Sequence, residues 1–271
     1  MTAASEPAIE CRSLTCGYGR RLALADVSLS VSRRELVCLL GVNGAGKTTL
    51  LRALAGLLAP RSGTIRVVGH DPARSPRRTL ARRLCFVPQT YDLALPFTVA
   101  EVVLMGRYPH HGGWLGLETA EDHATARAAM ERCDVVALAE RRFDSLSGGE
   151  QRRALLAQAL CQHTDVLLLD EPTASLDPSH ALAIFTALHA ICHDDGDGAA
   201  AVVVTHYVNL ATRFADRVAI LAPGAVDAGA QLTALGPPAE IIGAAATAAA
   251  FGVRLHTGTV PETAVRFAVP H

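Results

Sequence analysis

The stretch Gly41-Val-Asn-Gly-Ala-Gly-Lys-Thr-Thr49 constrains this chain more than any other. Before it, Glu35 to Leu40 (Glu-Leu-Val-Cys-Leu-Leu) is a short apolar run ending at a glycine, which predicts a buried strand. After it, Leu50, Leu51, Leu54, Leu57 and Leu58 recur at helical spacing, which predicts a helix over Thr48 to Leu58. Strand, glycine-rich turn and helix in direct succession are the context that gives G-x-x-x-x-G-K-[ST] its meaning, and Gly41, Gly46, Lys47 and Thr48 match that pattern. Such a loop wraps backbone N–H groups around phosphate oxygens at a helix N-terminus that already favours anions. Asn43, Gly44, Ala45 and Thr49 complete the loop, and Thr48 is placed to offer a hydroxyl to Mg²⁺. The feature thus predicts an α/β domain that binds a nucleotide.

Lys47 is the single lysine among 25 basic side chains, the rest being arginine. A compact ammonium on a slim stem fits a tightly wound loop closing on a β/γ-phosphate, whereas a broad guanidinium fork does not. On a solvated surface either cation serves, so this is the position at which the chain's arginine bias meets a steric limit.

A phosphate loop needs a second half. Val166 to Glu171 (Val-Leu-Leu-Leu-Asp-Glu) reads as a buried strand that ends in two acids. Asp170, at the strand's end, is suited to hold Mg²⁺ through water, and Glu171 to act as general base for an attacking water. Between the halves, Leu146-Ser147-Gly148-Gly149-Glu150-Gln151 precedes a helical run through Ala154, Leu155, Ala157, Ala159 and Leu160. A serine and glycines opening a helix expose N–H groups that can meet a second phosphate.

Leu-Ser-Gly-Gly-Glu-Gln, in this order between phosphate loop and acidic strand, resembles the signature of the ATP-binding cassette (ABC) family. Further positions match one by one. Tyr18 resembles the aromatic that stacks on adenine, and Gln89 the glutamine that contacts Mg²⁺ or the attacking water. Ser175-Leu176-Asp177 resembles the loop that communicates across a dimer, and His206 the switch histidine at the γ-phosphate. The resemblance implies an ATPase core of RecA-like P-loop type with an N-terminal antiparallel β region and a helical subdomain. It assigns residues 1–90 and 162–240 to the core, 91–161 to the signature-bearing subdomain and 241–271 to a C-terminal tail. It also implies ATP and Mg²⁺ as ligands, and a homodimer in which Ser147, Gly148, Gly149, Glu150 and Asp177 of one copy complete the other's site. Two departures stand out: Gln158 where relatives often carry arginine, and Tyr207 where aspartate is frequent.

The remaining sequence bears on partners. A formal net charge of −1 gives no reason to expect nucleic acid, and seven cysteines without C-x-x-C spacing suit free thiols in a reducing compartment. The run Ile241 to Val253 is too short and alanine-rich to span a bilayer, so the work of such a motor is expected to pass to separate transmembrane permease subunits, and indirectly to a substrate-binding protein. Leu95 to Gly113, with a short helix through Val99, Val102, Val103 and Met105 and a break at Tyr108-Pro109, resembles the permease-docking region of importer ATPases for iron-siderophores, haem and cobalamin. Asn209 to Arg217 and the stretch from Phe251 resemble the same subfamily. Zinc and manganese importers share a similar Val-Leu-Met-Gly-Arg stretch, and a soluble ABC ATPase of a cytosolic assembly complex is the alternative of a different class. The importer reading places the chain peripherally on the cytoplasmic face of a bacterial inner membrane. His110 and His111 are expected in a solvated loop, His193 to Gly198 in a solvated turn, and Arg74, Arg77, Arg78, Arg82 and Arg83 on one charged helix.

Overall fold

The computed structural model describes residues 6–89, 96–111, 118–174, 176–194, 198–225, 228–260 and 266–270. Residues 95, 112 and 113 of the docking stretch, Ser175, and 195–197 of the acidic turn lie outside the described residues. Strands β1 (Ile9–Tyr18), β2 (Arg21–Val31) and β4 (Ser62–Val67) form an antiparallel sheet in the order β2-β1-β4. The main sheet contains β3 (Leu36–Leu40), β5 (Leu84–Val87), β6 (Val166–Asp170), β7 (Ala200–Val204), β8 (Arg217–Ala222) and β9 (Gln231–Gly236) in the order β5-β6-β7-β3-β8-β9. It is parallel except for β9.

The central strands β3 and β7, and β6 as far as Leu169, are apolar because both faces are covered, as parallel sheets require. Val37, Leu39, Val166, Leu168, Val202 and Val204 face a core shared with helix α1 (Lys47–Leu54) and the antiparallel sheet. The alternate residues Leu36, Cys38, Leu167, Leu169 and Val203 face a second core, shared with α5 (Gly148–Cys161), α6 (Pro178–Cys192) and α7 (Val208–Phe214). Leu50, Leu51 and Leu54 of α1 are fully buried, each contributing about 1.5–3 kcal/mol. The helix stops four residues before the leucine pattern does. Gly56 adopts φ 67°, and Gly56 N–H donates to Ala53 O while Leu57 N–H donates to Arg52 O, a Schellman closure that leaves Leu57 exposed.

Three helix starts in the helical region use the same device. Thr98 with Glu101 caps α3 (Val99–Leu104), Thr119 with Asp122 caps α4 (Ala120–Arg132), and Ser147 with Glu150 caps α5. Asp122 also accepts from Arg107 Nε at 2.8 Å and from His111 Nε2 at 3.2 Å, all three side chains being nearly buried. The expectation of a solvated histidine loop is therefore wrong. The turn at Tyr108-Pro109 folds the chain back onto α4 and α5, where His110 Nε2 meets Gln162 O at 2.7 Å and burial lowers the His110 pKa. The arginine cluster is not one helix either. Helix α2 spans only Arg77–Ala81, and Arg74 and Arg83 instead pair with Asp71 and Asp165.

Beyond β9, α8 (Pro238–Ile241) and α9 (Ala245–Phe251) replace the continuous apolar run, broken at Gly243 and Ala244. A hairpin of β10 (Leu255–Thr259) and β11 (Arg266–Pro270) follows, and Ala268 N–H donates to Asn209 Oδ1 of α7 at 2.7 Å. All seven cysteines are buried free thiols. Among the described residues, no helix is long and apolar enough to cross a membrane.

Candidate active site

Strand order assembles the site. The loops leaving the C-terminal ends of four consecutive neighbours, β5, β6, β7 and β3, carry Gln89, Asp170 with Glu171, His206, and Gly41 to Thr49 respectively. Ligands of open α/β sheets bind at this edge.

The phosphate loop depends on its glycines. Gly41 has φ 153° and Gly46 φ 79°; a Cβ on Gly41 would lie 2.2 Å from Leu221 O, and one on Gly46 2.8 Å from Leu24 Cδ2. Gly44 has φ 78° with open space beside it. Lys47 is 6 % exposed, and its ammonium donates to Gly41 O at 2.8 Å and Val42 O at 2.9 Å. Burial lowers its pKa, against the opposing pull of Glu171 and Asp170. The lone lysine thus sits inside the curl of its own loop, where a guanidinium would be too broad.

Asp170 is 1 % exposed, and neither carboxylate oxygen has a hydrogen-bond partner. Burial raises its pKa, with the Thr48 hydroxyl beside it acting in the opposite direction and Glu171 reinforcing the rise. An orphaned, buried carboxylate beside a hydroxyl fits a hard cation with oxygen ligands. Among the described residues, no group of three His, Cys, Asp or Glu side chains could hold a metal ion by itself. Thr48, Asp170 and Gln89 offer oxygen donors that would suit a Mg²⁺ completed by other ligands.

Glu171 departs from the strand through a left-handed turn at φ 51°, a conformation that costs a non-glycine residue about 1–3 kcal/mol. Its N–H donates to Val204 O at 3.1 Å. Gln89 Nε2 donates to its Oε2 at 2.9 Å, and His206 Nε2 to its Oε1 at 2.8 Å. Arg152 of α5 donates through Nη1 to Glu171 O and through Nη2 to Gln89 O, both at 2.7 Å.

The phosphate loop, Tyr18, Gln89, Glu171 and His206 line one open cavity of about 940 Å³. The Tyr18 ring is 48 % exposed, free to stack on a flat base. Ser147, Gly148, Gly149, Glu150 and Asp177 do not line this cavity. Ser147 and Glu150 are occupied in the α5 cap, with the Glu150 pKa lowered by the Ser147 backbone N–H. Asp177 caps α6 by accepting from the Ser179 and His180 N–H groups, and the His180 N–H, followed by the Ser179 hydroxyl and the His180 ring, holds its carboxyl well below the usual range. Sequence reasoning missed Arg152, and also Pro223, Gly224 and Ala230, which bring the β8 to β9 connection to the cavity wall. No motif signals those last residues; they arrive through the β8–β9 pairing and the Leu24 to Ala230 bridge.

A phosphate loop, an acidic strand end, a carboxylate held by glutamine and histidine, and a separate helix-capping signature define an ATP-hydrolysing cassette. The chain belongs to the ABC transporter family, which it matches over residues 24–174. It is 41 % identical to the hemin import ATP-binding protein HmuV of Bordetella parapertussis, over 86 % of this chain and 88 % of that protein. It is 39 % identical to HmuV of Thermobifida fusca over 96 % and 87 %, and 42 % identical to the cobalamin import ATP-binding protein BtuD of Halobacterium salinarum over 89 % of this chain and 58 % of that one. Among solved structures, a metal-chelate type ABC transporter in an inward-facing conformation superposes with TM-score 0.80 at 25 % identity, covering 98 % of each chain. The dimeric ABC transporter cassette MJ0796 superposes with TM-score 0.71 at 25 % identity, covering 85 % of this chain and 98 % of that one.

Proposed function

We propose that this chain is the ATPase subunit of a bacterial importer for an iron chelate, haem or cobalamin, acting as a homodimer beneath transmembrane permease subunits on the cytoplasmic face of the inner membrane. The observation that carries the site reading is the Glu171 carboxylate, held by Gln89 and His206 at the mouth of the phosphate-loop cavity. The importer reading draws on the similarity to proteins named for hemin and cobalamin import.

In this reading Tyr18 stacks on adenine, and the backbone of Asn43 to Thr49 and the Lys47 ammonium hold the phosphates. Lys47 exchanges its two carbonyl partners for phosphate oxygens. Glu171 accepts the proton of the attacking water, with Gln89 and His206 fixing its orientation. Thr48, Asp170 and Gln89 would hold a Mg²⁺, which would supply positive charge beside the phosphates. The signature residues Ser147 to Glu150 and Asp177, which stand apart from the cavity of their own chain, complete the site of the second copy. Residues 1–90 and 162–240 act as the core, 91–161 as the subdomain that receives the permease, and 241–271 as a tail. A substrate-binding protein would deliver cargo to the permease.

Glu171→Gln tests the site: ATP binding is retained, and turnover falls roughly 10²- to 10⁴-fold. Undiminished turnover would remove Glu171 from this role. Affinity purification from native membranes tests the setting, a polytopic permease being the expected companion and solely soluble partners the refuting one.

A further inference from the structure

We propose that Arg152 is a positioning residue for ATP hydrolysis, clamping the main chains of Glu171 and Gln89 together and tying both to the signature helix of their own chain. The inference rests on the reading of Glu171 as the base and adds a residue to which no role has been given.

One guanidinium spans two loops. Its two terminal nitrogens donate to Glu171 O and Gln89 O, each at 2.7 Å, while the side chains of those two residues bond each other at 2.9 Å. A closed ring of hydrogen bonds results, running from Arg152 through both backbones and both side chains. The planar fork suits this bridge because its donors diverge at fixed geometry.

The ring acts on a residue that needs holding. Glu171 sits at φ 51°, outside the regular strand, and its carbonyl is anchored by Arg152 while its N–H is anchored by Val204. Loss of the clamp frees the carbonyl end of this turn and the carbonyl of Gln89 together. The base then samples orientations away from the phosphate loop, which lowers turnover without removing any group that touches ATP.

Arg152 also lies two residues past Glu150, in the helix whose first turn is the signature. A shift of α5 along or about its axis therefore pulls on both carbonyls. Through this contact the state of the signature in one chain is felt by the hydrolytic groups of the same chain, independently of the site it completes elsewhere.

The test compares Arg152→Met, Arg152→Lys, Glu171→Gln and the Arg152→Met/Glu171→Gln pair in the full chain, with rates normalised to ATP-binding sites titrated with a fluorescent ATP analogue. For Arg152→Met the expected result is a kcat at least tenfold lower, with KM for ATP and analogue affinity within about threefold of wild type. Arg152→Lys recovers part of the loss. In the Glu171→Gln background the Arg152→Met change has no further effect, because the group it positions is already gone. An unchanged kcat in Arg152→Met, or an equal loss in both backgrounds, overturns the inference. Should Glu171→Gln itself leave turnover intact, the underlying base assignment fails, a result separable from failure of the clamp.

Discussion

Asp170→Asn isolates the cost of burying the carboxylate that the proposed Mg²⁺ would use. The wild-type carboxylate is 1 % exposed, has no hydrogen-bond partner on either oxygen, and has Glu171 as a like-charged neighbour. Leaving a buried ionised group unsatisfied costs about 2 kcal/mol, and the carboxamide keeps the shape while removing the charge. In a chain of 271 residues that difference corresponds to a rise in Tm of roughly 4 °C. The sign with pH follows from the raised pKa. A carboxyl that binds its proton more readily in the native state than in the unfolded chain costs stability as pH rises from the ordinary carboxylate range through its elevated native value, and the full deficit stands above that value. The variant is therefore more stable than wild type at about pH 8, and the gap closes on acidification. The assay is thermal unfolding of both proteins in EDTA without nucleotide, repeated across pH. Addition of Mg²⁺ and ATP should shift the comparison toward wild type, since the phosphate loop binds nucleotide in both proteins while the carboxylate adds affinity for the cation in wild type alone. A variant no more stable than wild type at about pH 8, or a gap independent of pH, would refute the argument.

Two further substitutions probe packing, one inside the phosphate loop and one against the C-terminal part of α5. Lys47→Arg should weaken binding of a fluorescent ATP analogue at least tenfold, because the space between Gly41 O and Val42 O admits an ammonium and not a fork; unchanged affinity would end the steric account of the lone lysine. Gly106→Ala should destabilise the fold by about 2 kcal/mol in urea unfolding, since the new Cβ would lie 2.4 Å from Gln158 O of α5.

The legible parts of the sequence were those whose function needs special backbone. The β3 strand, the glycines of the loop and the start of α1 are readable because phosphate binding demands positive φ and a helix N-terminus in immediate succession. The end of α1 is not, because Leu57 and Leu58 keep the helical spacing while Gly56, packed against Pro72 O, stops the helix first. His110 and His111 look like loop residues in one dimension; only the fold-back onto α5 and α4 buries them. Arg152 and Arg153 are adjacent and chemically identical on paper. Which of them reaches Glu171 is set by the rotation of α5 about its axis, and that depends on how Ala154, Leu155 and Ala157 pack into the core. The sheet order that lines up Gln89, Glu171 and His206 is likewise a property of long-range pairing rather than of any local pattern.

The buried thiols have a practical consequence. Burial pushes Cys11 and Cys161 to about 11 and Cys85, Cys133 and Cys192 to about 12, so the folded chain offers almost no thiolate to an alkylating reagent. Reaction must wait for a local opening, and the seven positions are spread over β1, β3, β5 and the C-terminal ends of α4, α5 and α6. Each cysteine is in effect a timer on its own segment. Read residue by residue by mass spectrometry, alkylation of the native sequence would show whether the helical region bearing Cys133 and Cys161 breathes separately from the sheet bearing Cys38, with no engineered probe required.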